Sequence, residues 1–403
     1  MANIVSLLRT MVEKDASDLH LRVGTPPVLR VNGALVPLNN EPLTKEDMIQ
    51  LARQCLTDRQ KREFDERWEL DFALSLSKVG RFRVNMFKQR GSIAFAIRRV
   101  HFTIPTFEEL NLPPVLAEIS DARRGMVLVT GITGSGKSTT LAAMISYINK
   151  TRSENIITIE DPIEFVHAND KSIIAQREVG GDTTSYALAL RQALRQDPDV
   201  ILLGEIRDME TMSLTIQAAD TGHLIFSTLH TMDAVQTINR IISFYPPHQH
   251  QEIRLLLASN LRAIVSQRLL PRADVPGRIP AVEILIGTAT VREYIIDPLK
   301  TPMIRDLIAE GSIQYGMQTF DQSLMKLLKE GKISLDTALA NASNPDDFRL
   351  RLAGIVGTAD RGWQEFQMRE GLVEKEQEKF TPPTKPEAKK PDAGGKAPDS
   401  KPR

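Results

Sequence analysis

An α/β fold is predicted for this chain by three observations. A glycine-rich loop joins a β-branched apolar run to a helix former between Gly125 and Ile145, strand-length and helix-length segments alternate from Ala117 onward, and residues 1 to about 100 carry a helix and strands of their own. Alternation of this kind implies a largely parallel sheet covered by helices, with phosphate chemistry at the C-terminal ends of its strands.

The elements follow in order. Ile4, Leu7, Leu8, Met11 and Val12 recur at helical spacing, and "SDLHLRV" and "PPVLRVNGALVPL" then alternate as strands. A second helix is expected around Lys45 to Cys55 and a strand group from Leu70 to Arg99, which completes a first domain at 1–100. "HFTIPTFEELNLPP", His101 to Pro114, has the prolines and polar residues of a connector. In the second domain, expected at 115–357, the candidate strands are Met126–Val129, Ile156–Ile159, Val200–Leu203 and Leu224–Thr228, with a helix over Lys137–Ile148. A helical region is expected from Arg254 to about Gly357. The extension at 358–403 ends in "TPPTKPEAKKPDAGGKAPDSKPR", rich in proline and charge with alanine as its one apolar residue type, and is expected to be disordered from about 375.

The first chemical signal is Gly131-Ile132-Thr133-Gly134-Ser135-Gly136-Lys137-Ser138, which fits G-x-x-x-x-G-K-[ST] in its strand–loop–helix setting. Glycines let successive N–H groups turn inward on an anion, and the helix N-terminus adds positive potential. Lys137 would reach the β- and γ-phosphates and Ser138 would ligate Mg²⁺, with Thr133 through Thr139 forming the cradle. The chain therefore binds a nucleoside triphosphate. Its one "NK" pair, Asn149-Lys150, continues as Thr151-Arg152 instead of supplying the aspartate that guanine recognition would want, so ATP is favoured.

Further polar groups gather at the ends of the other strands. "DPDVILLGEIRD" ends an apolar strand in Gly204-Glu205, a carboxylate able to hold Mg²⁺ through water or to orient the attacking water. "IITIEDPIEF" ends in Glu160-Asp161 with Glu164 close behind, candidates for a general base; a turn with acidic capping residues is the alternative. "TGHLIFSTLHTMDA" carries His223 and His230 on either side of a third strand, where a polar group could sense loss of the γ-phosphate; a structural hydrogen-bonding role stays open for each. In the first domain Arg81, Arg83 and Arg98 lie on expected strands, either solvated or available in a ring to the γ-phosphate held by a neighbouring subunit.

Composition narrows the classes. Lys+Arg and Asp+Glu are equal at 51 each, so no global field draws the chain to a nucleic acid or an anionic membrane, and aromatic–basic clusters are lacking; a nucleic-acid translocase is disfavoured on both counts. No signal peptide and no long apolar run is seen, so direct membrane insertion is not expected and a cytoplasmic location is. Cys55 is the single cysteine, which rules out internal disulfides and multi-cysteine zinc.

The four motifs, in this order, resemble the PilT-like branch of the secretion ATPase superfamily, the retraction motors of type IV pili. The glycine loop matches the Walker A motif, "ITIEDPIEF" the Asp box, "DPDVILLGEIRD" the Walker B and "TGHLIFSTLHT" the His box, and the likeness extends from "ASDLHL" to "GMQTFDQSL" and "ALANASNPDDFRL". The resemblance implies a PAS-like N-terminal domain joined to a RecA-like ATPase core, assembled as a homohexamer that couples ATP hydrolysis to pilus retraction at an inner-membrane platform protein of the PilC type, in some systems with a paralogous retraction ATPase. It implies that Glu205 is the catalytic glutamate, that Glu160, Asp161 and Glu164 are the Asp-box acids, that His223 and His230 are the family histidines, and that Arg81, Arg83 and Arg98 are arginine fingers. "TPMIRDLIAEG", Thr301 to Gly311, is similar to the helical retraction motif, with Met303 where alanine is usual. Ile132 stands where the family commonly has proline, and Gly204 where many P-loop enzymes hold Mg²⁺ with an aspartate. A pilus-assembly or type II secretion ATPase of the same superfamily is the alternative, but such enzymes usually carry a four-cysteine zinc element, which Cys55 alone cannot supply.

Overall fold

The structure is a computed structural model and describes residues 3–353, apart from 32, 39, 40, 78, 101 and 102. The expected extension at 358–403 lies outside the described residues.

The first part of the chain is a six-stranded antiparallel sheet backed by helices. Its elements are α1 (Ile4–Glu13), β1 (Asp18–Leu21), β2 (Val28–Val31), β3 (Ala34–Pro37), α2 (Lys45–Cys55), α3 (Asp58–Arg67), β4 (Glu69–Leu76), β5 (Gly80–Gln89) and β6 (Ser92–Arg99), in the sheet order β3-β2-β1-β6-β5-β4. Strand β5 shows how the sequence builds it. Phe82, Val84 and Met86 alternate into a core shared with Leu8, Met11, Leu51 and Phe95, and this period of two turns Arg81 and Arg83 to the other face. The helix α3, absent from the sequence expectation, has only Phe64 buried; a capping box at Thr57 and Gln60 starts it where little hydrophobic periodicity exists.

The second part holds α4 (Val115–Ser120), β7 (Gly125–Thr130), α5 (Lys137–Thr151), β8 (Asn155–Glu160), β9 (Ile173–Glu178), α6 (Tyr186–Ala193), β10 (Val200–Leu203), α7 (Met209–Asp220), β11 (Leu224–Leu229), α8 (Ala234–Ser243), α9 (His250–Asn260), β12 (Leu261–Pro271) and β13 (Arg278–Ile286). They form a seven-stranded sheet, β13-β12-β7-β11-β10-β8-β9, parallel except for the β13 edge. Apolar clusters cover both faces, one centred on α5, the other on α6 to α9. Both faces being buried explains why β7, β10 and β11 read as continuous apolar runs.

The expectation of a helical region from Arg254 to about Gly357 is corrected here. After α9 the chain forms the hairpin of β12 and β13, and β12 joins the sheet parallel to β7. "LRAIVSQRLL" is buried on both faces, and a doubly buried strand has no period to separate it from a buried helix. Helices resume with α10 (Ala289–Ile296), α11 (Ile304–Glu310), α12 (Ser312–Tyr315), α13 (Phe320–Lys329), α14 (Leu335–Asn341) and α15 (Pro345–Leu352). The connector between the two parts is anchored in its described portion: Phe107 and Leu112 are buried against the α5 face of the sheet, and the Phe107 ring meets that of Tyr147 at 5.6 Å between centroids.

Candidate active site

The register of the parallel strands gathers the motifs. Leu203 of β10 lies beside Ile159 of β8 and Ser227 of β11, and Leu229 lies beside Thr130 of β7. The residues that follow, Glu160, Gly204-Glu205, His230 and the glycine loop, therefore leave the sheet at one edge. They surround a cleft of about 660 Å³, a size suited to a nucleotide. His223 precedes β11, where Leu224 pairs with Gly125, so it sits at the opposite edge, roughly 20 Å away by strand rise. There its Nδ1 lies 2.9 Å from the Ala218 carbonyl oxygen. Within one chain the two histidines do not meet.

Steric demand accounts for the loop's glycines. A Cβ on Gly131, whose φ is +141°, would come within 2.5 Å of the Gln267 carbonyl oxygen and 2.6 Å of Ser135 Oγ. Gly136 precedes α5 with φ +93° and turns the helix N-terminus onto the cleft. Thr133, Gly134, Gly136, Lys137, Ser138 and Thr139 line the cleft, whereas Ser135 is buried beneath the loop with its hydroxyl unpartnered. The Lys137 ammonium donates to the carbonyl oxygens of Gly131 (2.9 Å) and Ile132 (3.1 Å), and among the described residues no carboxylate pairs with it. Burial pushes its pKa down, an effect opposed by the charge of Glu205. A cation held this way, desolvated and without a counter-ion, is set to receive a polyanion.

On the acidic side, Glu205 forms an ion pair with Arg207 at 2.5 Å and lies 3.4 Å from His230 Nε2. Glu160 accepts from Thr158 Oγ1 (2.7 Å) and Gln176 Nε2 (3.2 Å), and burial raises its pKa. Gln176 also donates to the Phe165 carbonyl oxygen and accepts the His167 N–H, so one side chain shapes the loop from Glu160 to His167 that carries Glu164 into the cleft. Gly204 has a local cause: a Cβ there would meet the Tyr186 hydroxyl at 2.9 Å and the Ile159 carbonyl oxygen at 3.3 Å. An aspartate cannot enter this position without displacing Tyr186.

The three arginines separate. Arg98 lines the cleft of its own chain, with its Nε donating to Asp18 Oδ1 at 2.8 Å. Arg81 is outside the cleft and pairs with Glu178 of β9 at 2.8 Å. Arg83, next to Arg98 in the sheet, is exposed. Sequence reasoning missed Arg207, two residues past Glu205 and visible in "GEIRD", and Tyr186, for which no motif speaks.

Fit to Mg²⁺ can be judged from the donors present. Among the described residues no group of three or more His, Cys, Asp or Glu could hold a metal by itself. The Ser138 hydroxyl and the Glu205 carboxylate do line one cleft, the sparse oxygen set expected of a Mg²⁺ site completed by phosphates and water.

The family model described as "Type II/IV secretion system protein" matches residues 4–283. The type IV pilus ATPase PilU of Pseudomonas aeruginosa is 43% identical, with 86% of this chain and 90% of that protein covered. The type IV pilus retraction ATPase PilT of the same organism is 43% identical, with 86% of this chain and 100% of that protein covered. A crystal structure of the pilus retraction motor PilT with bound ADP superposes with a TM-score of 0.80 at 44% identity, over 86% of this chain and 99% of that one. On a match this extensive, the chain belongs to the type II/IV secretion system protein family, in its PilT- and PilU-like group of type IV pilus ATPases.

Proposed function

We propose that this chain hydrolyses ATP as a homohexameric motor that powers type IV pilus retraction, acting from the cytoplasm on a PilC-like platform protein of the inner membrane, alone or with a paralogous retraction ATPase. The observation that carries the reading is the single cleft in which Lys137, Ser138, Glu205 and His230 meet, in a chain that matches the retraction ATPase PilT over that protein's whole length. Among the described residues no helix is long and apolar enough to cross a membrane, which is consistent with attachment through a partner.

The chemistry follows from the groups present. The α5 N-terminus and loop amides receive the phosphates, and Lys137 exchanges two carbonyl partners for β/γ-phosphate oxygens. Mg²⁺, when bound, neutralises phosphate charge, and Ser138 with Glu205 would hold it directly or through water. Glu205, kept in place by Arg207, orients the attacking water; His230 beside it reads the γ-phosphate position. Arg98 reaches the phosphates after leaving Asp18.

The test separates binding from turnover. Lys137→Ala should lose nucleotide affinity, whereas Glu205→Gln should bind ATP and turn over at least a hundredfold more slowly. Equal loss of affinity in both would remove the role given to Glu205. In the source organism, deletion of the gene should leave filaments on the cell and stop twitching; a bald cell would indicate assembly instead of retraction.

A further inference from the structure

We propose that Glu178 is a positioning residue that makes the pose of the acidic loop from Glu160 to Glu164 depend on where the first domain sits. The inference rests on the ATP-hydrolysis reading and adds a route by which domain movement reaches the cleft.

Glu178 ends β9 opposite Glu160, and its side chain is 10% exposed. A single oxygen, Oε2, accepts two hydrogen bonds from different parts of the molecule: Arg81 Nη2 of the first-domain strand β5 at 2.8 Å, and the main-chain N–H of Ile163 at 3.1 Å. Ile163 lies between Asp161 and Glu164, both of which line the cleft, while neither Arg81 nor Glu178 does. The carboxylate thus links the first domain to the loop without touching the nucleotide space.

Each end of the link is held. Arg81 also donates from Nη1 to Ser75 Oγ of β4 at 3.2 Å, so its guanidinium travels with the first-domain sheet. The Glu178 backbone is clamped by Asp182, whose Oδ2 accepts the Glu178 N–H at 2.9 Å and whose own N–H donates to the Glu178 carbonyl oxygen at 2.8 Å. Room to move exists beside the link: a cavity of about 560 Å³ is lined by Ser75, Leu76 and Arg81 from one side and by Ile163, Val166 and Gln176 from the other. When the first domain shifts, Arg81 pulls or releases a buried carboxylate, and a buried carboxylate that loses its cation must recruit other donors or water. The donor already bound to it is the loop.

The experiment compares Arg81→Ala, Glu178→Ala, Glu178→Gln and the double alanine variant. Amide hydrogen exchange in nucleotide-free protein reads the link without turnover. In Arg81→Ala, exchange over 161–167 should rise at least fivefold, while β12 and β13 stay as in wild type. Steady-state ATPase assays should show kcat down about tenfold in each alanine variant with KM within twofold, and the double variant no worse than either single one. Glu178→Gln, whose amide oxygen still accepts, should fall between wild type and Glu178→Ala. Should Arg81→Ala fail to fold, Arg81→Gln takes its place. Unchanged exchange over 161–167, a rise spread across the whole chain, or losses that multiply in the double variant would each overturn the proposal. Wild-type protein that binds ATP without hydrolysing it would remove the hydrolysis reading, and the exchange comparison would still decide the link.

Discussion

Gly204 and Glu283 illustrate how much a single side chain decides here. At Gly204 the missing Cβ makes space for the Tyr186 hydroxyl, 2.9 Å from where that carbon would lie. Gly204→Ala should therefore lower turnover about tenfold by shifting Glu205, and adding Tyr186→Phe, which removes the obstructing oxygen, should restore most of it; kcat of the two variants is the measurement. Glu283 is buried on β13, where its Oε1 accepts the N–H of Ala234 at the start of α8 (2.9 Å). Burial raises its pKa to about 7, the Ala234 hydrogen bond opposes this, and the charge of Asp233 adds to it. Because the folded pKa is above the unfolded one, the unfolded chain ionises first as pH rises, and stability falls between about pH 4.5 and about pH 7 and is level above. Glu283→Gln keeps an acceptor for Ala234 and removes the titration. In urea unfolding it should match wild type near pH 4 and exceed it by about 3 kcal/mol at pH 8.

At the scale of elements, the connector behaves as a packed strap. Phe107 is 7% exposed and Leu112 6%, and Asn111 Oδ1 accepts from Lys332 Nζ at 3.2 Å, so this stretch joins the first helix pair of the ATPase part to its C-terminal helices. Phe107→Ala removes a buried ring that meets Tyr147 and should cost about 3 kcal/mol, measured as a lower urea midpoint, because packed neighbours fill such a cavity only in part. A midpoint within 0.5 kcal/mol of wild type, taken as roughly the surface-substitution range, would show that the strap is loosely held. The hairpin of β12 and β13 has a related function. Ser266 on β12 accepts from Thr130 Oγ1 at 2.9 Å and Gln267 donates to Thr140 at 2.9 Å, so the strand and helix that flank the glycine loop are both braced by this late segment.

For the whole molecule, the placement of the first sheet against the second decides which arginine lines the cleft. Arg98 reaches the cleft of its own chain, whereas the sequence reading looked to a neighbouring subunit for this charge. A mixing assay distinguishes the two. If Arg98 acts within its own chain, Arg98→Ala and Glu205→Gln subunits combined in exchanging rings should show no more than the sum of their separate ATPase activities, since every cleft lacks one partner. Recovery that rises at intermediate ratios would assign Arg98 to the neighbouring cleft.

Much of the site was legible because its chemistry is local. The glycine loop, Lys137 and Ser138 are contiguous, and their conformation follows from glycine φ freedom and a helix N-terminus, both written in eight consecutive residues. The strand ends at Glu160, Glu205 and His230 could be located because a parallel sheet aligns the C-terminal ends of apolar runs. Strand β12 was not legible, because burial on both faces erases the period that distinguishes strand from helix. His223 and His230 were read as flanking one strand, and the direction of that strand in the sheet puts only His230 at the edge where the glycine loop lies. The different fates of Arg81 and Arg98 depend on pairing across 97 and 80 residues of chain and on how the first sheet sits against the second. Glu178 carries no motif at all; its meaning arises where β5 and β9, distant in sequence, bring a guanidinium and a backbone amide to the same oxygen. Local conformational preference determined the cradle, and long-range packing decided which charges face it.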